Sequence, residues 1–331
     1  MVIMVHTAMY DVAIVGAGPI GIACAVECQR QGLSVLLMDQ GCLCNALYRY
    51  PRHMRFFSTA ERIAIADVPF PCAQARPSRD DALHYYRAVA EHAQIPLALY
   101  QRVEAIVGKP GAWCLQVPGG TAHNARRVVI ATGFFDTPVP LQVPGEELPK
   151  VQHRFIEAHP YAGMDVAIIG GGNSAAIAAL ECWRSGARVT LVHRGPALSP
   201  GVKYWLQPDL ENRIAEGSIR AHFSTTLRSI EPQHLILAAA DGSEWQLAND
   251  FVLAMTGYRS DYAWLDALGL RRDAASNAPV VDPHTGESAS RPGIHLLGSV
   301  CSGDHTNDIF IENSREDATR LAQHLAQVLG R

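Results

Sequence analysis

Two short turns in this chain are built to bring phosphate against bare backbone. Gly16-Ala17-Gly18-Pro19-Ile20-Gly21 follows the apolar run at residues 11–15, and Gly170-Gly171-Gly172-Asn173-Ser174-Ala175 follows the apolar run at 165–169. In a strand–turn–helix unit the first small residue makes the tight turn. The second admits a pyrophosphate to the unpaired N–H groups of the helix start, and the third lets helix and strand pack closely. Each turn continues into helical apolar spacing, a glycine stop at Gly32 or Gly186, and a second apolar strand at 34–38 or 188–192. Each unit then closes on an apolar strand ending in Thr-Gly, at Thr132-Gly133 and Thr256-Gly257. One dinucleotide-binding pattern is written twice, 154 positions apart.

The residue that ends each second strand separates the two nucleotides. Asp39, followed by Gln40, lies 23 positions after Gly16, where a carboxylate accepts hydrogen bonds from ribose hydroxyls and repels a 2′-phosphate. His193, followed by Arg194, lies 23 positions after Gly170, and this pair attracts a 2′-phosphate. The expectation is FAD in the first unit and NADPH in the second, with NADPH delivering hydride to a tightly held flavin that passes electrons onward.

The elements that must position these turns set the fold class: α/β, with two Rossmann-like dinucleotide-binding domains. Residues 1–136 are expected to form a first FAD-binding segment, 137–257 the NADPH-binding domain, and 258–331 a second FAD-binding segment. Antiparallel insertions are expected at 103–117 and 226–246. The tail should return a strand at 294–297 and a helix from about 313 to 329 onto the first unit.

Composition excludes several other classes. The chain has 331 residues, of which 48% are hydrophobic and 18% charged, a balance that excludes intrinsic disorder. A net charge of −4 with no run of Lys and Arg argues against nucleic acid as a partner. No apolar run reaches the ~18 residues of a membrane span, so no membrane partner is expected. Residues 1–9 lack a basic segment followed by a long apolar one, which reads as a cytoplasmic protein. The eight cysteines, at 24, 28, 42, 44, 72, 114, 182 and 301, contain no CxxC and suggest no metal site.

Longer motifs then carry a specific resemblance. They are Asn45-Ala-Leu-Tyr-Arg-Tyr-Pro-Arg-His53 with Phe56-Phe57-Ser58, Ala131-Thr-Gly-Phe-Phe-Asp-Thr-Pro138, Val143-Pro-Gly-Glu146, Leu148-Pro-Lys-Val151, Glu157-Ala-His-Pro-Tyr161, Gly170 to Ala175, Asn249-Asp-Phe251, Ala254-Met-Thr-Gly-Tyr258, and Asn307-Asp308-Ile309-Phe-Ile-Glu-Asn313. The chain resembles two-domain flavoproteins of thioredoxin-reductase type and, more closely, the bacillithiol disulfide reductase family, across about residues 10–325. The resemblance implies non-covalent FAD, NADPH as donor, a homodimer, and a small-molecule thiol disulfide as substrate. Two departures qualify it. Relatives carry a cysteine where this chain has Ile20, and thioredoxin reductases proper carry a CxxC before the second glycine turn, whereas residues 150–163 hold no cysteine.

Disulfide reduction runs through a thiolate, so the reacting side chain must be sought elsewhere. Cys301 follows Gly298-Ser299-Val300, the segment that the resemblance places beside the flavin, and is the relay candidate. His53 and His305 are the candidate proton donors to a leaving thiolate. The expected FAD contacts are Gly16, Gly18, Pro19, Gly21, Asp39, Gln40, Tyr50, Phe57, Thr132, Gly133, Gly298, Ser299, Asp308 and Ile309. The expected NADPH contacts are Gly170, Gly172, Asn173, Ser174, Ala175, His193, Arg194, Thr256 and Gly257, with Lys203 and Arg184 as further sources of positive charge. The rival readings are a ferredoxin/flavodoxin–NADP reductase, a flavin monooxygenase and a flavin-binding sensor.

Overall fold

The computed structural model describes residues 8–331; residues 1–7, most of the stretch read for a leader, lie outside the described residues. The chain divides into two units by packing. The first contains the described chain up to Arg49, His53–Thr137 and Arg259–Arg331; the second contains Tyr50–Arg52 and Pro138–Tyr258.

In the first unit, strand Met9–Val15 pairs in parallel with Val35–Met38 on one side and Ala122–Ile130 on the other, with Val15 opposite both Met38 and Ile130. That register brings the three carboxyl ends level, so the turn after Val15 opens between two strand ends. The nine-residue strand Ala122–Ile130 serves two further neighbours. Its first half pairs antiparallel with Ala112–Gln116, and its last residues pair parallel with Ile294–Leu296. The returning tail is therefore part of the first sheet, as expected. The last helix, Ile311–Leu329, buries Ala318, Leu321, Ala322, Leu325 and Ala326 along one stripe and packs on helix Pro19–Arg30.

In the second unit, strands Arg220–His222, Arg188–Val192, Asp165–Ile169, Phe251–Ala254 and Val151–Gln152 form a five-stranded sheet in that order, parallel throughout. Ile169 aligns with Val192 and with Ala254, repeating the geometry around the first turn. A three-stranded antiparallel sheet, Thr225–Ile230, His234–Ala239 and Glu244–Ala248, occupies the expected insertion. The fold is α/β with two Rossmann-like units. Among the described residues no helix is long and apolar enough to cross a membrane.

The long helices start differently, and the difference matters for function. Helix Arg79–His92 is capped by Ser78, whose hydroxyl accepts the Asp81 N–H while the Asp81 carboxylate accepts the Ser78 N–H. Helices Pro19–Arg30 and Asn173–Arg184 begin at Gly18 and Gly172, with no side-chain cap and no acid in the first turn. Their first N–H groups are left for something else.

Candidate functional site

The first glycine turn is shaped by close backbone approaches. Gly16 has φ +113°, and a Cβ there would collide with the Ala131 carbonyl; a Cβ on Gly21 would collide with the carbonyl of Gly16. Gly18 faces open space, as a phosphate cradle requires. In the second turn Gly170, with φ +144°, lies against the Met255 carbonyl in the same way. Ala175 replaces the third glycine there, and its Cβ fits at 3.5 Å from the position a Gly170 Cβ would take.

Asp39 has a structural role at the first turn. Its Oδ2 accepts the Ala17 N–H at 2.9 Å and its Oδ1 accepts the Gly41 N–H at 2.8 Å, while the Ala17 carbonyl accepts the Cys44 N–H at 2.9 Å. The carboxylate thus ties the end of the second strand to the glycine turn. Burial raises its pKa above the usual carboxylate range. The two backbone hydrogen bonds oppose that rise, and nearby Asp136 adds to it.

A cavity of about 440 Å³ opens beside this turn and is lined by Gly16, Asp39, Gln40, Thr132 and Gly133, all named from the sequence. Its size suits a nucleotide. Other walls were not read from the sequence: Gln101 and Val103 follow the short strand Leu97–Ala98, Trp264 comes from the helix Tyr262–Ala267, and Asp136 from just beyond the Thr-Gly ending. The Asp136 carboxylate accepts from Gln40 Nε2 at 3.1 Å and lies 3.4 Å from Arg49 Nη1. Gln101, Val103 and Trp264 lie outside every motif quoted above, whereas Asp136 falls within Ala131–Pro138, where the sequence alone assigns it no separate role.

The segment at 298–302 also converges here. The Ser299 hydroxyl lies 3.3 Å from where a Gly133 Cβ would be, and Ile20 lies against Gly298. Cys301 sits next to them, yet it lines a different cavity of about 130 Å³, with Leu297, Asp317 and Arg320. Burial pushes its thiol up to about 12, and Asp317 adds to the rise. Two further thiols are also raised. Cys24 is buried and its thiol raised by its contact with Cys28 and by burial, and Cys182 is pushed up to about 12 by burial. His53, His305 and Asp308 are exposed, and Ile309 and Phe57 are partly exposed. Tyr50 belongs to the second unit.

In the second unit the Thr256 hydroxyl donates to the Val139 carbonyl at 2.6 Å, and the Val139 N–H donates to the Gly257 carbonyl. The His193 ring lies against Gly171 and Gly195, where any Cβ would meet it at 2.7 Å. Burial and then the charge of Arg194 lower its pKa. Arg184 is engaged by Asp209 at 2.5 Å. Asn173 uses its carboxamide on the chain itself: Nδ2 donates to the Gly201 carbonyl at 2.9 Å and Oδ1 accepts the Lys203 N–H at 3.0 Å.

Both turns fit a dinucleotide: uncapped helix starts, small residues that a Cβ would block, and, at only the first, a cavity-lining carboxylate just past the second strand. The comparisons with known proteins agree. A family model described as pyridine nucleotide-disulphide oxidoreductase matches residues 13–298. The bacilliredoxin reductase of Bacillus subtilis is 35% identical over 95% of this chain and 97% of its own length. A ferredoxin–NADP reductase of Gluconobacter oxydans is 30% identical over 95% of this chain and 90% of its own. Among solved structures, the bacillithiol disulfide reductase from Bacillus cereus superposes with a TM-score of 0.93 at 37% identity, covering 97% of this chain and 100% of that one. Thioredoxin reductase from T. acidophilum shares the fold, with a TM-score of 0.75 at 21% identity, covering 97% of this chain and 99% of that one. This chain, with its paired cradles, is an oxidoreductase and belongs to the pyridine nucleotide-disulphide oxidoreductase family.

Proposed function

We propose that the chain is an NADPH-dependent flavoprotein that reduces a low-molecular-weight thiol disulfide of the bacillithiol disulfide kind. The observation that carries this reading is the full-length similarity to bacillithiol disulfide reductase, with a dinucleotide cradle matched in each unit. FAD would be held by Gly16, Gly18, Pro19 and Gly21, with Asp39, Gln40, Thr132, Gly133, Gly298, Ser299, Phe57, Asp308 and Ile309 as its further contacts in the first unit. NADPH would be held by Gly170, Gly172, Asn173, Ser174 and Ala175, with His193, Arg194, Thr256 and Gly257 as further contacts. When bound, the flavin supplies two-electron chemistry between a pyridine nucleotide and a disulfide. The chain's own residues bind both partners, keep phosphate charge on uncapped helix starts, and deliver a proton to the leaving thiolate from the exposed imidazoles of His53 or His305. Cys301 is the remaining candidate, against which stands the high pKa of its thiol. The protein acts in the cytoplasm as a homodimer, without nucleic acid or membrane partners.

Anaerobic stopped-flow mixing of the holoprotein with NADPH is expected to bleach the flavin band, and a flavin indifferent to NADPH overturns the reading. A second reading, electron transfer to a ferredoxin or flavodoxin, is favoured by the absence of cysteine at position 20 and throughout 150–163 together with the Gluconobacter relative. A steady-state screen of NADPH oxidation separates the two. Turnover with bacillithiol disulfide supports the first, and turnover with ferredoxin alone supports the second.

A further inference from the structure

The stretch that follows the 298–302 segment carries one of the two exposed imidazoles, and side chains from other segments hold it at both ends. At the front, Asp304 Oδ1 accepts the Tyr262 hydroxyl at 2.8 Å and Oδ2 accepts Asn277 Nδ2 at 2.7 Å, while the Asp304 N–H donates to the Ser276 carbonyl at 2.8 Å. Gly303, at φ +56°, lies so close to Ser276 and Ala278 that any Cβ would collide with their backbone. At the back, the Asn313 carboxamide accepts the Phe310 N–H and donates to the Asp308 carbonyl, both at 2.7 Å. Between these anchors, the His305 N–H donates to the Ser302 carbonyl at 3.0 Å, and the His305 carbonyl accepts the Asp308 N–H at 3.1 Å. Both backbone groups of His305 are thus fixed, and the residue stays exposed.

The front anchor is itself oriented. Arg272 Nη1 donates to Asn277 Oδ1, which leaves Nδ2 of the same carboxamide to face Asp304. The Arg272 guanidinium also grips the Asp266 carboxylate at 2.9 and 2.7 Å and lies 4.5 Å from the centre of the Tyr262 ring. Hydrogen bonds from Asn277 and then Tyr262 hold the Asp304 carboxyl below its ordinary pKa, and neighbouring His305 acts in the same direction. Each of these bonds is modest alone. Together they fix one exposed imidazole beside an ionised carboxylate, and a fixed position is what proton transfer to a bound substrate needs.

We infer that His305 is the group that protonates the leaving thiolate, and that Tyr262 and Asn277 are its positioning residues, acting through the Asp304 carboxylate. This rests on the reading of the chain as a disulfide reductase. Splitting the substrate's S–S bond into two thiols takes the two electrons and one proton that NADPH carries as hydride, plus one further proton. His305 gives that second proton to the departing sulfur and regains one from solvent.

The test follows reoxidation of the NADPH-reduced holoprotein by two disulfides. Bacillithiol disulfide releases an aliphatic thiolate that needs a proton, whereas dithiobis(nitrobenzoate) releases an acidic arylthiolate that leaves without one. His305→Ala is expected to slow the first about a hundredfold and to leave the second nearly unchanged. Tyr262→Phe and Asn277→Gly are each expected to slow the first about tenfold, again sparing the second. Glycine is the replacement at 277 because the backbone there has φ +57°, which glycine adopts freely. Added to His305→Ala, neither change should slow the reaction further, since both act through the imidazole. Hydrogen exchange at the amides of 303–308 should quicken in both clamp variants. Equal slowing with the two disulfides, or wild-type rates in both clamp variants, overturns the inference and leaves the reductase reading standing. A wild-type protein that reduces neither disulfide overturns that reading itself.

Discussion

Ile20 covers Gly298: a Cβ built on Gly298 would lie 3.2 Å from Ile20 Cγ2, at a backbone φ of +79°. The first helix turn and the 298–302 segment thus meet where relatives of this chain, by resemblance, carry a thiol, and here the contact is aliphatic. Position 20 itself offers no sulfur, which leaves Cys301 of the same segment as the nearby thiol.

That contact predicts two stability losses. Gly298→Ala combines a left-handed backbone with a tight neighbour and is expected to cost about 1–3 kcal/mol. Ile20→Ala, which empties a buried site, is expected to cost about 2–4 kcal/mol. Urea unfolding of both variants checks the values, and a neutral Gly298→Ala would show that the segment yields freely.

Asp39 holds two backbone N–H groups as well as facing the cavity, so its loss should undo the cradle from the protein side. Asp39→Ala is expected to bind FAD at least about tenfold more weakly, and Asp39→Asn, with one acceptor left, to fall between. Flavin fluorescence titration of the apoprotein measures both. Equal affinities would mean that the glycine turn holds its shape without the carboxylate.

Cys301 gives a sharp kinetic expectation. A thiol at about 12 is ionised to about one part in 10⁵ at pH 7, so Cys301→Ser is expected to keep most of the NADPH-dependent turnover. Abolished turnover, with flavin reduction intact, would instead identify Cys301 as the relay.

His295 ties stability to pH. It is buried on strand Ile294–Leu296, and its Nδ1 lies 2.9 Å from the Thr285 carbonyl. Desolvation lowers its pKa below the usual 6.5, with His324 and Arg127 in the same direction and the Thr285 bond and Glu287 opposing. The unfolded chain then binds a proton near pH 6.5 that the folded chain refuses. Stability present above that value is therefore lost as the pH falls below it. The urea midpoint should drop between pH 7.5 and 5.5, and by less in His295→Gln; an equal drop in both would assign the acid sensitivity elsewhere.

What the amino-acid sequence determined by itself is local. Gly16, Gly21 and Gly170 could be read because a backbone carbonyl crowds each position and leaves no room for a Cβ, and that constraint acts on the residue type directly. Asp39 and His193 were legible by register, since strand and helix lengths fix how far along the chain the second strand ends. Tertiary structure decided the rest. Gln101 and Trp264 reach the first cavity from distant segments, and Tyr50 leaves its neighbours to join the second unit. The reactivity of Cys301 was decided by what packs around it, and the role of Asn173 by a loop some thirty residues away. Cavity walls, desolvation and side-chain hydrogen bonds depend on which surfaces meet, and spacing along the chain carries no record of that.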